Sequence, residues 1–228
     1  MAGKKLEGAG LRGQVAGKTS LSTVGKAGKG LTYRGYEIEV LAEKASFEEV
    51  AYMLLYGNLP NQEEFNTYSA KLKKLRVLPS ELKKVLENIP ASAHPMDVMR
   101  TGCSMLGNLE PEGEFTNQNS SADRILASMA SIIVYWYKFS HEDIKVDLET
   151  DYETIGGHFL SLLTGKEPSE DDIRCLDTSL ILYAEHGFNA STFTARTCAS
   201  TLSDIHSCIT GAIGTLRGPL HGGCLLYT

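Results

Sequence analysis

A chain of 228 residues, 42% hydrophobic and 22% charged, carries enough apolar material for one substantial core or two small domains. Its net charge of −6 excludes nucleic acid as a main partner, because phosphate binding takes a basic face. The most apolar run, Ile132–Tyr137, is too short to cross a bilayer, so no membrane partner is expected.

The chain opens on a basic stretch. Lys4, Lys5, Arg12, Lys18, Lys26, Lys29 and Arg34 face a single acid, Glu7, in the first 36 residues. Residues 1–18 read as a solvated N-terminal arm. They lack the apolar stretch of a secretory signal, and the five scattered cysteines form no C-x-x-C pair. Reduced thiols in the cytoplasm are therefore the expectation. Thr19–Val24 and Leu31–Tyr36 flank a Gly/Lys-rich turn and are expected to form one short β-hairpin.

From there on the punctuation is helical. Ser46 and Glu49 make a capping-box pattern ahead of Phe47, Val50, Ala51, Leu54 and Leu55, with Gly57 as the stop. Asn61 and Glu64 repeat the pattern for Phe65, Tyr68, Leu72 and Leu75. Ser80 opens a helix that Pro90 closes, and Pro95 suits a first helical position with His94 as turn or cap. Residues 107–120 read as a surface loop. Residues 122–138 read as a central helix, apolar on most sides. A charged loop over 140–152 precedes helices at about 153–164, 170–185, 190–202 and 204–216. No βαβ alternation appears, so the fold class is all-α, with at most the N-terminal hairpin as sheet.

Two histidines stand out. His221 lies in Gly218-Pro219-Leu220-His221-Gly222-Gly223, where glycines let backbone and ligand approach closely. It can donate or accept a proton near neutral pH, or it is a turn with an exposed histidine. His186 follows Tyr183-Ala184-Glu185, and Asn189, Ser191, Thr192 and Arg196 lie just beyond. It is either a satisfied core histidine or part of a carboxylate site at a helix N-terminus. His158 reads as packing or hydrogen bonding, and His141 and His206 as loop and helix-end residues. A metal held by His186 and His221 lacks a third ligand, and Lys26–Gly30 lacks the length of a phosphate loop.

Several stretches, in one order, carry a resemblance to a known family. They are Leu11–Gly17, Tyr33–Ile38, His94–Arg100, Gly156–Phe159, Tyr183–Thr192 and Gly218–Gly223. The chain resembles the citrate synthase family over about residues 11–223, and within it looks most like the 2-methylcitrate synthase branch. The resemblance implies a citrate-synthase-like helical large domain over 19–223, present in part, followed by a family-foreign tail over 224–228. It implies a homodimer that joins propionyl-CoA (or acetyl-CoA, in citrate synthase proper) to oxaloacetate, with no metal or redox cofactor. By position His221 matches the catalytic histidine that hydrogen-bonds the thioester carbonyl. His186 matches a histidine that binds oxaloacetate, Asn189 is counted with it in substrate binding, and Tyr183 is placed at the acyl pocket. Gly187 replaces an acidic residue of the family pattern and is expected to loosen a helix there. The family's later residues, its catalytic aspartate among them, find no match after Gly223. The expectation is an inactive chain, a non-catalytic remnant of the enzyme.

Overall fold

The computed structural model describes residues 17–25 and 30–221. The basic arm over 1–16, the Lys/Gly turn over 26–29 and the tail after His221 lie outside the described residues. Ten α-helices and one small antiparallel sheet make up the described part, so the fold is all-α as expected.

The sheet holds three two-residue strands rather than two. They are β1 (Ser22–Thr23), β2 (Thr32–Tyr33) and β3 (Tyr36–Glu37), in the order β1-β2-β3. Thr32 pairs with Glu37 and Tyr33 with Tyr36, which leaves Arg34 and Gly35 as a two-residue turn. Both turn residues have positive φ, 46° and 94°, the combination a tight hairpin requires.

The first helices are α1 (Ile38–Lys44), α2 (Phe47–Tyr56), α3 (Gln62–Lys74) and α4 (Ser80–Glu87). The Ser46/Glu49 and Asn61/Glu64 capping boxes both form, and Gly57 ends α2 at φ 113°. In α5 (Pro95–Leu109) Pro95 takes the first helical position, and His94 Nδ1 accepts from the Met96 amide at 3.2 Å. A 3₁₀ turn over Phe115–Asn117 leads into α6 (Gln118–Glu142), which starts earlier and ends later than the apolar pattern predicts. At its C-terminal end Lys138 pairs with Glu142 one turn on, at 2.8 Å, and Asp143 closes the helix in a left-handed conformation. Helices α7 (Ile155–Thr164), α8 (Glu170–Tyr183), α9 (Ala190–Ala199) and α10 (Ile205–Leu216) follow.

The core is organised around α6. At its start Asp123 is wholly buried. Its carboxylate accepts from the Tyr56 hydroxyl at 2.6 Å, the Tyr68 hydroxyl at 3.2 Å and Lys71 Nζ at 2.6 Å. That network binds α6 to α2 and α3 and keeps the buried carboxylate supplied with donors. Arg124 makes a two-pronged ion pair with Glu110, at 2.7 and 2.8 Å, and donates to the Leu75 carbonyl. Further along, Ile132 packs on α5 so closely that a Cβ on Gly102 would lie 2.5 Å from Ile132 Cγ2. A larger residue at 102 would push the two helices apart.

Two buried carboxylates receive the N-terminus of α7. Glu48 of α2 accepts from the Ile155 amide at 2.7 Å, and Asp177 of α8 faces Gly156, where a Cβ would sit 2.3 Å from Asp177 Oδ1. The Gly156-Gly157 pair is thus a packing requirement. Burial pushes Glu48 up to about 7 and Asp177 up to about 6. His158 is fully buried between the Ser131 and Thr150 hydroxyls, both at 3.0 Å, and desolvation takes it down to about 3. It is a packing histidine, as the sequence suggests.

Candidate active site

The site lies where α8, α9 and the loop after α10 meet. Tyr33 of β2 holds the end of α8. Its hydroxyl lies 2.9 Å from the Ile181 carbonyl and 3.2 Å from that of Leu182, and it accepts from the Glu185 amide at 3.2 Å. Helix ends leave carbonyls without partners, and Tyr33 supplies a donor for them. Burial pushes its phenol up from the ordinary value. The connection that follows turns on Glu185, whose carboxylate accepts from Ser22 Oγ at 3.0 Å and from the Gly187 amide at 2.6 Å. Gly187 has φ 77° and lies in this loop, between α8 and α9. The expectation of a loosened helix is therefore corrected: residue 187 is in no helix, and its left-handed backbone is one that glycine adopts without strain.

Asn189 is the N-cap of α9. Its Oδ1 accepts from the Thr192 amide at 2.9 Å and from Ser191 Oγ at 2.8 Å. Arg196, about two turns on, lays its guanidinium over the Phe188 ring at 4.5 Å.

The second histidine arrives from the far side. α10 ends at Leu216, and Arg217 pairs with Asp97 at 3.4 Å, which ties the loop to the first turn of α5. Residues 218–221 form a turn closed by the His221 amide on the Gly218 carbonyl at 3.0 Å, with Pro219 where such turns favour proline. The turn sets the His221 ring at the N-terminus of α9. Nε2 accepts from the Ser191 amide at 3.3 Å and lies 2.9 Å from Ser191 Oγ. An amide N–H can only donate, so Nε2 is an acceptor, and the proton of the neutral ring sits on Nδ1. Among the described residues that N–H has no acceptor, so it can point at an incoming oxygen.

The structure therefore brings His221 and Asn189 together through Ser191. It does not join the other two candidates to them by hydrogen bonds. Tyr183 ends α8 at 72% exposure, and His186 is exposed in the following loop with no hydrogen bond among the described residues. A cleft of about 350 Å³ opens beside Ser191, Thr192 and Arg196, floored by Ile209 and Cys208. Ser191 as the partner of His221, and Tyr33 and Glu185 as supports of the α8–α9 loop, are the functional residues that sequence reasoning passed over. Only Ser191 carried a signal, its place in the polar cluster after His186.

Residues 10–225 match the family model described as citrate synthase, C-terminal domain. This chain belongs to the citrate synthase family. It is 67% identical over 220 residues to the 2-methylcitrate synthase of Shewanella oneidensis, an alignment covering 96% of this chain and 59% of that protein. It is 39% identical over 217 residues to the citrate synthase of Deinococcus radiodurans, covering 94% of this chain and 57% of that one. A crystal structure of citrate synthase from Thermotoga maritima superposes with a TM-score of 0.81 at 34% identity, covering 94% of this chain and 57% of that one. The ternary complex of citrate synthase from Thermoplasma acidophilum with carboxymethyl coenzyme A and oxaloacetate gives 0.86 at 28% identity, with the same coverage. The chain thus spans between half and six-tenths of the length of the first curated relatives it matches, 59%, 50% and 58%.

Proposed function

We propose that this chain forms the thioester- and oxaloacetate-facing part of a condensing enzyme that joins propionyl-CoA to oxaloacetate and water, giving 2-methylcitrate and CoA. The carrying observation is His221, pinned through Nε2 to Ser191 at the start of α9, with its other ring nitrogen a donor that has no acceptor among the described residues. A donor fixed before the substrate arrives stabilises negative charge developing on a thioester oxygen without reorganising as the reaction proceeds. His186 takes part in oxaloacetate binding, Asn189 holds the α9 N-terminus where carboxylate groups are favoured, and Tyr183 bounds the acyl group. No metal or redox cofactor enters this chemistry. The enzyme works in the cytoplasm as a homodimer whose large helical domain includes residues 19–223. The 67% identity to a protein named 2-methylcitrate synthase supports the propionyl branch. The citrate synthases among the relatives support the second reading, with acetyl-CoA as donor.

The test mixes the chain with oxaloacetate and each acyl-CoA and follows free CoA with a thiol reagent, alongside oxaloacetate titration. Faster release from propionyl-CoA that His221→Ala abolishes supports the proposal, and faster release from acetyl-CoA supports the second reading. Oxaloacetate binding that His186→Ala weakens at least tenfold, without CoA release, supports the binding site and assigns turnover to residues beyond these. Neither release nor binding rejects the proposal.

A further inference from the structure

A different feature of the same helices concerns sulfur. Helices α9 and α10 run antiparallel, joined by residues 200–204. Thr215 Oγ1 donates to Thr194 Oγ1 at 2.8 Å, and a Cβ on Gly211 would lie 3.4 Å from Thr194 Cγ2. One turn nearer the connection, this register sets Cys198 of α9 opposite Cys208 of α10. Cys198 neighbours Cys208 closely enough to raise its thiol, and Cys208 Sγ lies 3.7 Å from the Ser203 carbonyl. Cys198 is partly exposed and Cys208 is 6% exposed.

We propose that Cys198 and Cys208 are a redox-active dithiol that closes into a disulfide on reaction with a peroxide and ties α9 covalently to α10. The chemistry balances as one peroxide consuming two thiols. The Cys198 thiolate attacks the peroxide oxygen, the O–O bond breaks, and a sulfenic acid and one water form. The Cys208 sulfur then attacks the Cys198 sulfur, the S–O bond breaks, and a second water leaves. Two electrons pass from the sulfurs to the peroxide, and a dithiol reductant reverses the change. The order of attack follows from the surroundings. Burial, with Cys198 next, pushes the Cys208 thiol up to about 11, so the accessible Cys198 reacts first and Cys208 resolves it. The consequence reaches the candidate site, because α9 is the helix whose first turn holds His221.

The whole chain is treated with hydrogen peroxide, alkylated and digested with trypsin. Both cysteines fall in the one peptide spanning 197–217, bounded by Arg196 and Arg217. The expected product is that peptide lighter by two hydrogens and unalkylated. Cleavage before Asp204 is expected to leave its halves joined until reduction. Cys198→Ser and Cys208→Ser should each abolish the loss, and Cys103→Ser should preserve it. Should the buried Cys208→Ser variant fail to fold, Cys198→Ser at the half-exposed position decides alone. Oxygen added at Cys198 with no linkage, or a linkage of Cys208 to Cys103, overturns the proposal.

Discussion

Helices α6 and α9 show two ways of holding a helix in one fold. α6 threads the core, burying Asp123, Arg124, Ile132 and Trp136 among others, and it meets α3, α4, α5, α7 and α10. Among the described residues no side chain of α9 is fully buried, and several are half-buried against α10. Packing against five helices determines where α6 lies, whereas α9 packs chiefly on α10 and is otherwise held by its cap and the His221 contact. At its N-terminus the Ser191 and Thr192 amides are already taken, by His221 Nε2 and Asn189 Oδ1. That first turn rests on few bonds, each of which matters locally more than globally.

The contrast can be broken from the α6 side first. Asp123→Ala strips three donors of their acceptor and leaves the Tyr68 hydroxyl buried without a partner. A loss of about 3 kcal/mol is expected from denaturant titration, and a loss under about 1 kcal/mol would deny α6 its organising role. Gly102→Ala drives a Cβ into Ile132 and is expected to cost about 1–3 kcal/mol by the same assay.

On the α9 side, Asn189→Ala removes the cap and is expected to cost about 1 kcal/mol. Hydrogen exchange should show faster exchange at Ser191 and Thr192 with α6 unchanged. Equal acceleration in α6 would mean that the two helices unfold as one unit.

A pH dependence in the core adds a further test. The Glu48 carboxyl, taken from 4.5 to about 7 in the fold, contributes stability that is full below about 4.5 and is lost as pH rises through about 7. Asp177, raised from 3.8 to about 6, acts in the same direction. His158, lowered from 6.5 to about 3, opposes them: its contribution is present above about 6.5 and is lost as pH falls toward about 3. Glu48→Gln cannot ionise, so its thermal midpoint should drop less than the parent's between about pH 5 and about pH 8. An equal or steeper drop would show that Glu48 is ionised throughout.

The helices were largely legible because their signals are local. Ser46 with Glu49 and Asn61 with Glu64 lie three residues apart, and Pro95 and Gly57 act on their own backbones. The ends of α6, residues 118–121 and 139–142, were missed because the apolar pattern stops short of them, and the buried roles of Asp123 and Arg124 inside the expected helix were not legible either. Their partners Tyr56, Tyr68, Lys71 and Glu110 come from other helices, and no local pattern announces a polar residue that is satisfied at a distance. The third strand escaped because Arg34 is an unusual residue for a left-handed turn position.

For the site, the order of motifs along the chain determined the family, and the Gly-Pro turn marked His221 as a presented side chain. Which atom meets that side chain was decided only in three dimensions. Ser191 and His221 are 30 residues apart in sequence, and the contact needs α9 and α10 to fold back on each other and Asp97 to hold Arg217. The Tyr33 hydroxyl reaches α8 across 148 residues. Hydrogen bonds act over about 3 Å and take no account of separation along the chain, whereas sequence patterns report only what repeats within a turn or two.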